Sequence, residues 1–189
     1  MEKRQTCDLA GIWRFEIDKE DRGFAEHWEK RRLTHTITLP GCLKAQGYGD
    51  AISEDTQWVK SLYDALWYQR GEYAYAQKNG TKVPFLSQPP RHYTGKAWYQ
   101  KTIFVPEKSD GFVGRLTLEN TKWKTTLWID GECKGSIVSL CAQHVYDTGA
   151  LSAGEHIVTL CIDNGWQLPY RPDGHGVSDA LGATWNGVA

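Results

Sequence analysis

Apolar residues recur at a spacing of two through much of this chain, the period of half-buried strands. Gly11–Asp18 (GIWRFEID) sets Trp13, Phe15 and Ile17 against Ile12, Arg14 and Glu16. His35–Leu39 reads as a short strand stopped by Pro40-Gly41, and Lys96–Val105 as a longer one stopped by Pro106. Gly114–Glu119, Thr125–Asp130, Cys133–Val138, Gln143–Tyr146 and His156–Asp163 repeat the pattern. Between Ile129 and Cys133, Asp130-Gly131 is a hairpin signal, because both turn residues must take positive φ. Asp18–Arg32 is charged, with Trp28 isolated in it, and has room for one helical turn. About eight short strands without a long helical pattern predict an all-β sandwich of two antiparallel sheets.

Two stretches break the rhythm. Residues 1–10 read as a lead-in. Residues 42–94 form a long irregular insertion carrying eight Tyr and Trp residues. An insertion of that length in a compact domain is usually functional. Within it, Asp55–Tyr68 places Trp58, Leu62, Ala65 and Leu66 at helical spacing, predicting a short amphipathic helix over the sandwich. Its aromatics fit either a satellite core or a surface that stacks on sugar rings. Trp67 and Tyr68 are the sugar-contact candidates there. No internal repeat is present, and 1–189 reads as a single domain.

Composition narrows the partners. A net charge of -1 gives no electrostatic footprint for nucleic acid or an acidic membrane. No stretch is apolar enough to span a bilayer. The start, MEKRQTCDLAG, has no apolar core of a signal peptide. Nine Trp are many for 189 residues, and most are expected in the core. The five Cys form no CxxC pair, so no disulfide framework, metal or cofactor is expected, and Cys133 and Cys161 read as small buried residues. The six His are scattered and read as surface or strand-edge positions.

The ordered succession LAGIWRF, LPGCLKAQGYGD, AWYQKTIFVP, LTLENTKWKTTLWIDGECKG and HVYDTGALSAGEHIVTLCIDN, closed by Thr184-Trp185-Asn186-Gly187-Val188, resembles the N-terminal sugar-binding domain of glycoside hydrolase family 2. That family includes β-galactosidases, β-glucuronidases and β-mannosidases. The resemblance implies a jelly-roll, galactose-binding-like sandwich standing before an immunoglobulin-like domain and a catalytic barrel. It implies retaining hydrolysis of a β-glycoside by two Glu borne on the barrel, which such chemistry holds about 5–5.5 Å apart. No pair here matches those motifs; Glu54 with Glu72 is the nearest candidate, and nothing in the sequence brings them together. The chain is therefore expected to be an excised, catalytically inactive domain that supports the barrel and lends loops to its carbohydrate pocket. A periplasmic or secreted parent is compatible with this reading.

The resemblance also assigns rim residues. Within His175–Asn186, Asp179 resembles an acidic residue that some β-galactosidases direct at a sugar hydroxyl, a task suited to a carboxylate acceptor. His175 and Asn186 lie on the same stretch, although the Arg of the commoner ending is missing. Asn79 is the nearest match to a second polar rim residue, and also fits an Asn-Gly turn. Trp185 resembles an aromatic that anchors the next domain. A free-standing carbohydrate-binding module and a self-sufficient enzyme are the alternatives.

Overall fold

A computed structural model describes residues 6–53, 56, 69–80, 90–109, 111, 113–167 and 185–188. Its elements are β1 (Gly11–Asp18), β2 (His35–Leu39), β3 (Gly41–Cys42), α1 (Ala74–Lys78), β4 (Lys96–Val105), β5 (Val113–Leu118), β6 (Lys124–Ile129), β7 (Glu132–Val138), β8 (His144–Ala150), β9 (Gly154–Asp163) and β10 (Gly187–Val188). One sheet runs β2-β1-β4-β9-β6-β7, every neighbouring pair antiparallel. Opposite it stand β5 with β8 and the short pair β3 with β10. The expected all-β sandwich is what forms. No helix among the described residues is long and apolar enough to cross a membrane.

Alternation decides what each strand buries. Phe15, Ala97, Tyr99, Leu127, Leu160 and Ile162 face inward and pack against Leu43, Leu118 and Tyr146 of the opposite layer. Each large side chain so buried contributes about 1.5–3 kcal/mol. The hairpin is as the sequence predicts, with Asp130 at φ 52 and Gly131 at φ 80.

The outer face of the large sheet is not left to solvent. Trp98, Trp128 and Cys161 alternate onto it and join Trp28 and Leu33 in a second core. The Trp98 and Trp128 rings stack at 5.0 Å. Residues 19–34 cover this cluster, and Asp18 fastens the cover. Its carboxylate accepts the Arg22 and Gly23 amides at 2.7 and 2.8 Å and the Trp98 indole N–H at 3.1 Å. Gly23 is required, since a Cβ there would lie 2.3 Å from the Trp98 nitrogen. Arg31 forks onto Glu16 at 2.9 and 3.0 Å, while its guanidinium lies 4.2 Å over the Trp28 ring. Gln100 is buried beneath the cover, where its amide donates to the Arg31 carbonyl at 3.0 Å. The abundance of tryptophan thus follows from a sheet with two buried faces.

The edge strand β2 is blunted by side chains. Gln46 donates to the Thr38 carbonyl at 2.7 Å and accepts the Thr38 amide at 2.9 Å, completing a ladder rung in place of another strand.

Several expectations need correcting. The strand expected at Gln143–Tyr146 runs from His144 to Ala150. The single helical turn expected within Asp18–Arg32 does form, as a 3₁₀ turn at Trp28–Lys30. Cys161 is buried, but Cys133 is exposed, because β7 is the last strand of its sheet. His144 and His156 are buried rather than superficial, each held by hydrogen bonds at both ring nitrogens. The helix predicted over Asp55–Tyr68 lies outside the described residues.

Candidate functional end of the sandwich

Both long irregular stretches leave and rejoin the sandwich at one end, where β1 and β9 finish and β4 and β6 begin. Two asparagines fasten that end. Asn164 donates to the Tyr93 carbonyl at 2.9 Å and accepts the Gly95 amide at 2.9 Å. Asn186 donates to the carbonyls of Ile162 and Gly95 at 2.8 and 3.0 Å and accepts the Tyr99 hydroxyl at 2.7 Å. Full burial pushes the Tyr99 phenol well above its ordinary ionisation range, so it remains a donor. The next residue, Gly187, has φ 144, and a Cβ there would lie 2.2 Å from the Gly41 carbonyl oxygen. Only glycine lets β10 seat against β3 at this distance.

Beside these amides lies a cleft of about 460 Å³, lined by Lys19, Asp50, Ser53, Thr56, His92 and Tyr93 among others. Backbone pairing of Asp50 with His92, at 2.8 and 3.0 Å, forms one wall. The Lys19 ammonium and the Asp50 carboxylate, paired with each other, form part of its lining. Thr56 Oγ1 accepts the Ser53 amide at 2.9 Å. Burial, reinforced by the Asp18 and Asp163 charges, raises the Tyr93 phenol, which donates to the Lys96 carbonyl at 2.5 Å. Hydroxyls, an ion pair and a neutral phenol suit a ligand rich in hydroxyl groups. No cluster of three or more His, Cys, Asp or Glu among the described residues is arranged to hold a metal ion.

The residues singled out from the sequence fall in different places. Asn186 is buried, and its amide is committed to the backbone and Tyr99. Trp185 is half-buried immediately before it. Asn79 is exposed in the turn after α1, followed by Gly80 at φ 75. Asp179, His175, Trp67 and Tyr68 lie outside the described residues, as does Glu54. Glu72 is described, exposed, and 3.8 Å from Arg70. Sequence reasoning missed Asn164, the Lys19–Asp50 pair and Trp166. The Asp163-Asn164-Gly165 run at the end of β9 was a signal, since an Asx residue at a strand end bonds backbone that turns away. Trp166 packs edge-on against Trp123, with ring centroids 5.3 Å apart. Its indole N–H is the one buried side-chain polar atom without a hydrogen-bond partner among the described residues.

No family model matches the chain. It is 26% identical over 170 residues to a beta-glucuronidase of Paenibacillus borealis, a match covering 87% of this chain and 22% of that protein. Among solved structures it is similar to a beta-glucuronidase of an uncultured Clostridium species, with TM-score 0.57, 20% identity, and 87% of this chain and 23% of that one covered. It is also similar to the beta-glucuronidase of Ruminococcus gnavus, with TM-score 0.52, 19% identity, and 82% and 20% covered. At these identities the structures share the fold. The chain spans about a fifth of the length of the relatives it matches. The resemblance to a domain of glycoside hydrolase family 2 is borne out.

Proposed function

We propose that this chain is the non-catalytic sugar-binding sandwich of a retaining β-glycosidase of the β-glucuronidase kind. It supports a catalytic barrel and lends its polar end to the rim of the carbohydrate pocket. The observation that carries this reading is the match itself: most of this chain aligns with a small fraction of much longer beta-glucuronidases. The two carboxyl groups of retaining chemistry belong to the remainder in this reading.

In the rim, Asp179, His175, Asn79, Trp67, Tyr68 and Trp185 are the candidate contacts to sugar or to the neighbouring immunoglobulin-like and barrel domains. Asn186 acts behind them, anchoring the strand into which that stretch runs. The unpaired Trp166 N–H supports the same placement, because a buried donor left without an acceptor costs about 1–3 kcal/mol. An oxygen of a glycan or an adjoining domain would remove that cost.

The test is to express the full reading frame and follow hydrolysis of an aryl β-glucuronide by NMR. The expected result is release of the β-anomer first, lost when residues 1–189 are deleted. A full-length product that hydrolyses normally without these residues would refute the supporting role. The cleft favours a second reading, a free-standing carbohydrate-binding module. A reading frame without a hydrolase domain, together with saturable binding of a polysaccharide by the chain, would establish it.

A further inference from the structure

The opposite end of the sandwich carries a side-chain cluster that the glycosidase reading does not use. Asp130 leads the β6–β7 turn. Its Oδ1 accepts the Ile157 amide at 2.7 Å, and its Oδ2 lies 2.6 Å from His156 Nδ1. The other ring nitrogen, Nε2, lies 2.8 Å from the Ser152 carbonyl oxygen in the β8–β9 loop. A carboxylate and a backbone carbonyl both only accept hydrogen bonds. A neutral imidazole has one N–H, so it satisfies one of these partners and turns a lone pair on the other. Only the imidazolium satisfies both.

The geometry points to a pH-operated clip: doubly protonated His156 ties Asp130 and Ser152 together, closing the turn end, and loss of one ring proton opens it. This holds independently of the glycosidase reading. The charged surroundings favour it from each side. β4 presents Ile103 across from His156, and Lys101, on the same side of that strand, is tied to the Ala10 and Ile12 carbonyls at 3.2 and 3.3 Å. The β6–β7 hairpin presents Asp130, together with Lys134, which is paired with Glu132 at 2.9 Å. The Lys30 stem lies beside Gly131. The β8–β9 loop contributes the Ser152 carbonyl, and Glu155 precedes the histidine on its own strand.

The hydrogen bond from Asp130, then that from Ser152, hold the imidazole above its usual ionisation range. Burial alone would raise the Asp130 carboxyl, but the Ile157 amide and His156 hold it below its usual range. A raised histidine contributes stability that is complete below the ordinary imidazole value, about 6.5, and is lost as pH rises through the raised value. A lowered carboxyl contributes above the ordinary carboxylate range and is lost on acidification. The clip is therefore closed at weakly acid to neutral pH and opens on the alkaline side.

Nitrogen-15 NMR of the intact chain reads the ring directly. Both His156 nitrogens should be protonated at pH 6, with the proton lost only above pH 6.5. Between pH 6.5 and 9 the wild-type melting temperature should fall by about 2–4 °C more than that of H156Q. D130N preserves the turn and offers an acceptor to Ile157 while accommodating a neutral ring, so it should fold and lack the same alkaline fall. A ring that titrates at or below its ordinary value, or a D130N profile that parallels wild type, would overturn the clip.

Discussion

The two ends of this sandwich are built on opposite plans. The turn end is closed by short connections, Asp130-Gly131 and the β8–β9 loop, and secured by a charged pair. The other end receives both long connections, and its clasp is made of the uncharged Asn164 and Asn186 amides and the Tyr99 hydroxyl, with a polar cleft alongside. A sandwich held at one end by local turns leaves its other end free to carry long, variable loops. Histidine follows the same division. His156 bonds two acceptors and must be charged. At the opposite end, fully buried His144 accepts or donates through Nδ1 to the Thr125 hydroxyl at 2.6 Å and reaches the Ser139 carbonyl through Nε2 at 3.2 Å. A neutral ring with its proton on Nε2 satisfies both, an assignment made from the network. Burial pushes that imidazole below its usual range.

The sharpest way to break the comparison is to remove the amide clasp. Asn186→Ala strands the Ile162 and Gly95 carbonyls and the Tyr99 hydroxyl, and should cost about 2–4 kcal/mol in urea unfolding. At the turn end, Gly131→Ala places a Cβ at φ 80 and should cost about 1 kcal/mol. If the two losses were equal, the ends would not differ as described.

A pH series sharpens the contrast further. A folded-state histidine with a lowered value contributes fully above about pH 6.5 and loses stability as pH falls through the lowered value. His144 should therefore weaken the fold as pH falls below about 6.5, and His156 as it rises on the alkaline side. Thermal melts should give a maximum near neutrality, with H144Q flattening the acid limb and H156Q chiefly the alkaline one. The smallest effect belongs to the exposed Lys19–Asp50 pair. Lys19→Ala should shift stability by less than about 1 kcal/mol, and in the proposed parent glycosidase should raise KM several-fold with kcat little changed.

Local signals carried the parts of the fold that were legible in the sequence. Asp130-Gly131 fixes a hairpin because the turn itself demands positive φ, and strand alternation set Trp13 and Phe15 on one side of β1, the side that is buried. The second core was not legible. Trp98 and Trp128 alternate as outward residues do, and the segment that covers them is recruited through Asp18 and Gly23, contacts without a periodic signature. Gln100 shares that face and is buried beneath the same cover. At the candidate site, the closing Trp-Asn-Gly run lies at the end that receives both long connections. Sequence alone does not distinguish a polar side chain facing a ligand from one turned inward to hold backbone, and Asn186 is turned inward. The Asp50–His92 wall joins residues far apart in sequence, so spacing gave no hint of the cleft.

The central claim is that this chain scaffolds a hydrolysis whose reacting carboxyls lie elsewhere. Its most direct test is to incubate the purified chain with nitrophenyl β-glucuronide and β-galactoside and follow nitrophenol release. The account predicts release no faster than the spontaneous rate. Sustained turnover that co-purifies with the chain and disappears on mutation of Glu72 to Gln would contradict it.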